Sequence, residues 1–151
     1  MPFCRINKIT TWYHESDEGA GLPLIFVNSL GTDHRIWDDV IGGLGSKRRC
    51  VVFDKRHGLS DVVPAPYAIA DLADDLLALA DHCGIERFAI CGVSVGGMIA
   101  LSSAMAAPGR VAGLVLCDTA CRIGTVESWN ARLARIQSAG MESIADGVME
   151  R

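Results

Sequence analysis

The stretch Cys91-Gly92-Val93-Ser94-Val95-Gly96-Gly97 holds the residues whose types and spacing could do chemistry. A serine hydroxyl becomes a useful nucleophile when it is raised on a sharp turn beside oxyanion donors. Gly92 and Gly96, two residues before and two after Ser94, leave such a turn nearly free of side chains. On this reading Ser94 presents its oxygen above a sheet, and the first N–H groups of the following helix point toward it. The Val95 amide is then available to bind an oxyanion, and the chemistry implied is attack on an electrophilic carbonyl carbon. Two other readings stand beside it. One is a glycine-rich turn that serves packing only. The other is a dinucleotide-binding turn built on Gly92 and Gly97, with Asp118 as the ribose-binding acid, although that fingerprint places a glycine where Ser94 stands.

The surrounding elements give the motif its weight. Arg87 to Cys91 reads as a strand and Met98 to Ala107 as a helix ended by Pro108-Gly109, so Ser94 falls between strand and helix. Upstream, Phe3 to Thr11 alternates loosely. Pro23 to Asn28 and Cys50 to Asp54 are continuous apolar runs of the kind that parallel sheets bury on both faces. Asp33 to Ile41 has helical spacing, with Ile36, Trp37, Val40 and Ile41 on one face and Gly42-Gly43 as a stop. From Ile69 to Cys83 apolar residues recur at helical spacing. Asp71, Asp74, Asp75 and Asp81 take the other face, read as a solvated surface, and Gly84 caps the helix. Val111 to Cys117 is another strand, and Ser128 to Arg151 is helical with breaks at Gly140 and Gly147. Strands alternating with helices predict an α/β fold with a mainly parallel sheet.

Composition narrows the function classes. The chain has 151 residues, half of them hydrophobic, and 14 basic against 18 acidic residues. That suits a globular domain with a substantial core, and no basic field is present to draw in nucleic acid or an anionic membrane. Phe88 to Gly109 carries no charge and exceeds the ~20 residues that span a bilayer. Its glycines and serines favour a buried strand, turn and helix instead. Six cysteines (Cys4, Cys50, Cys83, Cys91, Cys117 and Cys121) lie mostly in apolar runs, with no C-x-x-C pair and no histidine pair nearby to complete a zinc site. Free thiols, no metal and a cytoplasmic location are the expectation.

The chain resembles the N-terminal part of an α/β-hydrolase, and most of all the 3-oxoadipate enol-lactone hydrolases. The resemblance rests on Phe26-Val27-Asn28-Ser29-Leu30-Gly31-Thr32-Asp33, Asp71-Leu72-Ala73-Asp74-Asp75-Leu76, Cys91 to Met98, and Ile123 to Arg132. It implies a mostly parallel sheet with helices on both faces, cut before its last strands. Residues 1–123 would form the core and residues 124–151 the start of a helical cap. It further implies Ser94 as nucleophile, Leu30 and Val95 as oxyanion donors, a small lactone or ester as substrate, and no cofactor. Trp129 and Arg132 would line the cap side of a pocket for an acidic substrate, or simply pack a cap helix on the core.

Three departures accompany the resemblance. The family's acid and histidine follow the nucleophile in chain order, and no matching positions precede Arg151. The loop usually written Arg-Gly-His-Gly appears as Arg56-His57-Gly58, one residue short. Ala68 stands where a hydroxyl would cap the acidic helix. His14, His34, His57 and His82 all precede Ser94 and read as structural or surface residues, and Asp118 has no histidine to orient. The readings left open are an impaired serine lactonase, a catalytically inactive hydrolase-like fragment, and the dinucleotide-binding domain. An uncovered strand 111–117 would be an apolar edge, so the expectation is either self-association through that edge or a chain that is one piece of a longer product.

Overall fold

The computed structural model describes residues 2–16, 19, 21–145 and 147. The chain divides into two compact units, Met1–Cys121 and Arg122–Arg151.

The first unit is built on a six-stranded sheet. The loose alternation at the N-terminus resolves into a hairpin of β1 (Phe3–Ile6) and β2 (Ile9–Glu15). Its two-residue turn, Asn7-Lys8, has φ of 46° and 67°, the positive values that a tight hairpin of matching twist requires. Then come β3 (Leu24–Val27), β4 (Cys50–Phe53), β5 (Phe88–Val93) and β6 (Val111–Cys117), in the spatial order β1-β2-β4-β3-β5-β6. The β1–β2 and β2–β4 pairs are antiparallel and the other three parallel, with Val27 opposite Gly92 and Val93 opposite Cys117. The chain runs from β3 outward to β4, then crosses back over β3 to β5. The sheet therefore changes direction beside β3, and ligands of such sheets bind outside the carboxyl ends of the strands at that point.

Both faces of the parallel strands are covered, which is why their sequences are continuously apolar. Ile25, Val27, Val51, Phe53 and Ile90 pack on one face with Leu72, Leu76 and Leu79 of α2 (Ile69–His82) and Ile99 of α3 (Val95–Ala106). Phe26, Cys50, Val52 and Cys91 turn to the opposite face, against Trp37 and against Ile41 and Leu44 of α1 (Asp38–Leu44). Helix α2 ends as its sequence predicts. Gly84 takes φ of 65°, its N–H donates to the Asp81 carbonyl at 3.0 Å, and the Ile85 N–H donates to Ala80 at 2.8 Å.

Three expectations are corrected. The stretch 33–41 is not one helix. The Asp33 carboxylate accepts from the Arg35 amide at 3.0 Å and starts a 3₁₀ turn over His34–Trp37. The tighter winding breaks the 3.6-residue face, so Ile36 and Val40 are exposed while Trp37 is buried. The following helix α1 runs through Gly42-Gly43 and ends at Gly45. Helix α3 begins at Val95 rather than Met98, since Gly96 and Gly97, weak helix formers, are needed for close approach to the sheet. A Cβ on Gly96 would lie 2.8 Å from the Val27 carbonyl carbon and 2.9 Å from the Asn28 oxygen. Finally, Asp75 is not solvated. It is buried, with its carboxylate 2.7 Å from Arg56 Nε and 2.9 Å from Asn7 Nδ2.

The 22-residue uncharged run is divided among β5, the Ser94 turn and the twelve-residue α3. Among the described residues no helix is long and apolar enough to cross a membrane. The second unit holds α4 (Val126–Ala139) and a 3₁₀ turn over Met141–Ile144, with Gly140 between them. Thr125 and Ser128 cap α4 reciprocally, at 2.9 and 3.2 Å. The break expected at Gly147 is flanked by positions outside the described residues.

Two stability outcomes follow. Asp75→Ala should lower the unfolding free energy in urea by about 3–5 kcal/mol, because it strands the half-enclosed Arg56 guanidinium. Exposed Asp74→Ala should change it by no more than about 0.5 kcal/mol. Gly96→Ala should cost about 1–3 kcal/mol through the backbone clash with β3. Gly43→Ala, in open space within α1, should be neutral or stabilising by about 0.4–1 kcal/mol.

Candidate active site

Ser94 sits alone between the last residue of β5 and the first of α3, with φ 55° and ψ −120°. A side chain in this region costs about 1–3 kcal/mol and persists only where neighbours over-determine it. Here they do. The Ser94 N–H donates to the Cys117 carbonyl at 3.0 Å. Its own carbonyl accepts from Gly97 N at 2.9 Å and from the Thr119 hydroxyl at 2.6 Å. Gly92 lets the chain fold back, since a Cβ there would lie 2.7 Å from Gly97 N. The Ser94 hydroxyl does not cap its own helix, and the side chain is only half-buried. The Val95 N–H, at the first helical position, has no carbonyl within the helix to donate to.

Leu30 lies in the loop that leaves the neighbouring strand. The Val27–Gly92 register and the contact of Gly96 with Val27 and Asn28 bring the start of this loop beside the turn. The Leu30 side chain is largely exposed, so its backbone, not its packing, is what the loop can offer. Buried Asn28 ties the loop internally, donating from Nδ2 to the Thr32 carbonyl, and the Thr32 hydroxyl donates to Ser29 O at 3.1 Å.

Behind the loop, at the end of β4, lies a polar cluster that sequence reasoning did not assign. Asp54 is fully buried and accepts from the His34 amide (3.0 Å), His34 Nδ1 (3.0 Å) and the Leu59 amide (2.9 Å). The His34 ring stacks on Trp12 at 3.7 Å between centroids. Lys55 is buried, and its ammonium donates to the Ser29 carbonyl at 2.9 Å. Burial pulls the Lys55 pKa down to about 8, with Asp54 opposing the shift. His57 is held below its ordinary pKa by burial and then by Lys55, and its Nε2 is buried without a partner. The signal available in sequence was a charged pair, Asp54-Lys55, directly after four buried strand residues at the end where the loops gather.

The remaining candidates are placed elsewhere. His82 pairs with Tyr13 Oη at 3.2 Å and His14 is exposed on β2. Among the described residues no histidine hydrogen-bonds Ser94. Asp118 follows β6, exposed, with φ of 42°. Trp129 and Arg132 lie on α4 of the second unit. The Trp129 indole N–H donates to the Ile123 carbonyl at 2.7 Å, and the Arg132 guanidinium lies 5.5 Å over the ring. At the start of α2 the Ala68 N–H donates to the Asp71 carboxylate at 2.6 Å, so half of a capping box survives without a hydroxyl.

The sequence profile of the alpha/beta hydrolase fold matches residues 23–150. The chain is 34% identical over 122 residues to 3-oxoadipate enol-lactonase 1 of Acinetobacter baylyi, covering 80% of this chain and 46% of that protein. To 3-oxoadipate enol-lactonase 2 of the same organism it is 35% identical over 129 residues, covering 85% and 48%. It thus spans about half the length of these curated relatives. The crystal structure of the enol-lactonase from Burkholderia xenovorans superposes with a TM-score of 0.92 at 33% identity, over 99% of this chain and 59% of that one. A thermophilic esterase from Thermogutta terrifontis gives 0.84 at 30% identity, over 95% and 54%. A strand–crest–helix on a 1-2-4-3-5-6 sheet and a profile match over most of the length lead to one assignment: the chain belongs to the α/β-hydrolase family.

Proposed function

We propose that this chain carries the nucleophile-bearing part of a serine hydrolase that opens a small enol-lactone, converting 3-oxoadipate enol-lactone to 3-oxoadipate. The observation that carries the proposal is the backbone of Ser94, a side-chain-bearing residue held at positive φ between β5 and α3. The likeness to enol-lactonases supports the substrate class. In this scheme Ser94 Oγ attacks the lactone carbonyl carbon as its proton passes to a base. The tetrahedral oxyanion accepts hydrogen bonds from the Leu30 and Val95 amides. The ring C–O bond then breaks, and its oxygen takes a proton to become an enol that remains on the acyl chain held by Ser94 and tautomerises to the ketone. Water cleaves the Ser94 ester, giving the acid and restoring the hydroxyl. Trp129 and Arg132 are proposed as substrate-side residues, with the guanidinium as counter-charge to a carboxylate. No cofactor or metal enters the scheme.

The competing reading is a catalytically inactive member, favoured by the absence of any histidine hydrogen bond to Ser94 among the described residues. Without a histidine base, oxyanion binding alone sustains a residual ~10³–10⁴-fold acceleration over water. The dinucleotide alternative finds no support in a crest that carries a side chain where that fingerprint needs glycine. The six cysteines, all free thiols, support a reducing compartment such as the cytoplasm. The β6 edge supports self-association with a second copy, since Val115 and Leu116 are both exposed on the sheet's outer strand.

A fluorophosphonate probe should label the parent chain at Ser94 by mass spectrometry and leave Ser94→Ala unlabelled. A folded parent that takes up no probe establishes the inactive reading. Sedimentation equilibrium should show a mass that rises with concentration and falls to the monomer in Val115→Lys, whereas a parent that stays monomeric overturns pairing through β6.

A further inference from the structure

The peptide that joins Ser29 to Leu30 is restrained from its carbonyl side. In a trans peptide the C=O and the N–H point in opposite directions, so whatever fixes the Ser29 oxygen also fixes the Leu30 N–H. That oxygen accepts from Lys55 Nζ at 2.9 Å, from the Thr32 hydroxyl at 3.1 Å and from Asn28 Nδ2 at 3.4 Å. The two neutral donors belong to the loop itself and would move with it. Lys55 does not, because it extends from the end of β4, a strand buried along its whole length. Among the described residues it ties the Ser29–Leu30 peptide to the rigid sheet, while Asp54 holds the loop's far end through His34.

Three further observations separate Lys55 from an ordinary buried lysine. Among the described residues its ammonium makes no ion pair. Its anionic neighbour Asp54 is already engaged by the His34 ring and by the His34 and Leu59 amides. Burial of an ammonium is also unfavourable, and the lowered pKa is its signature. The contact that compensates is the Ser29 carbonyl, and a cation on a peptide oxygen polarises the N–H at the other end.

We propose that Lys55 is a positioning residue, whose ammonium clamps the Ser29 carbonyl and so holds the Leu30 N–H turned toward the substrate oxyanion. This rests on the assignment of Leu30 as an oxyanion donor. Lys55 touches neither substrate nor Ser94. It acts through one peptide plane, adding orientation and polarisation to a donor that has no side-chain means of adjustment.

The test is fluorophosphonate labelling at pH 7 of the full chain and of Lys55→Met, Lys55→Arg and Ser94→Ala. Lys55→Met should lower the maximal labelling rate about tenfold, a fraction of the ~10²–10³ lost with a whole oxyanion donor. The half-saturating probe concentration should be unchanged, and Lys55→Arg should recover part of the rate. In the parent the Leu30 amide proton should move downfield when Ser94 is phosphonylated, and in Lys55→Met it should not. Labelling of folded Lys55→Met within twofold of the parent overturns the proposal and leaves the hydrolase reading standing, as does Lys55→Arg that is as slow as Lys55→Met. A parent with no Ser94-dependent labelling overturns both. Should Lys55→Met not fold, the parent decides through the coupling between Lys55 15Nζ and Ser29 13C′ across their hydrogen bond. That coupling together with the Leu30 shift supports the clamp, and the absence of either overturns it.

Discussion

The structure turns on one constraint, the positive-φ backbone of Ser94 where sheet passes into helix. A conformation that costs about 1–3 kcal/mol must be held from several sides. Cys117 and Thr119 hold it from β6 and its exit, the first turn of α3 holds it from ahead, and Gly92 and Gly96 remove the side chains that would prevent the approach. Gly96 lies against the backbone of β3 and Gly92 against α3 itself, so the crest joins three elements. A helix that started one residue later, or a β3 displaced by one methyl group, would not bring these surfaces together.

The same closeness decides what β3 can present. Because α3 lies on the last residues of that strand, the chain has to leave the sheet immediately, and it does so in a loop tied by Asn28 and Thr32. Residues 28–32 carry no titratable side chain and the Asp33 carboxylate is taken up by Arg35, so the chemical contribution of the loop is a backbone amide. A backbone donor is only as good as the orientation of its peptide. That explains why buried polar groups gather at the end of β4: Asp54 organises His34 and the turn to Leu59, while Lys55 reaches the Ser29 carbonyl. Polar burial, unfavourable elsewhere in the core, is tolerated where several partners satisfy one group.

Much of this was legible in sequence because it depends on local rules. The apolar runs at residues 23–28 and 50–54 could be read as strands of a parallel sheet, residues 87–91 as a further strand, and the glycine spacing about Ser94 as a strand-to-helix turn. The features that escaped depend on tertiary partners. Asp75 occupies the polar side of the α2 pattern, and nothing within that helix shows that Arg56 and Asn7 come from other elements to neutralise it. Likewise the Asp33 carboxylate competes locally for the chain and converts a helical pattern into a 3₁₀ turn. Glycines at 96 and 97 argued against helix by propensity, yet packing on β3 and against Thr119 requires them.

Lys55 shows why polar positions beyond a strand's end resist sequence reading. A lysine after four buried residues has two ordinary outcomes: its stem lies along apolar surface with the ammonium in water, or it pairs with a carboxylate. Neither happens here. Solvent is closed off, and the adjacent carboxylate is saturated by donors that arrive from twenty residues upstream and five downstream. What remains within reach is a carbonyl presented by the neighbouring parallel strand's exit loop. That pairing follows from the β3–β4 register, in which Phe26 lies opposite Val52 and the two exits emerge side by side. The oxyanion loop is thus shaped by β4 as much as by its own residues, and substitutions at the end of β4 belong to the chemistry of the site although they lie outside every motif that identifies it.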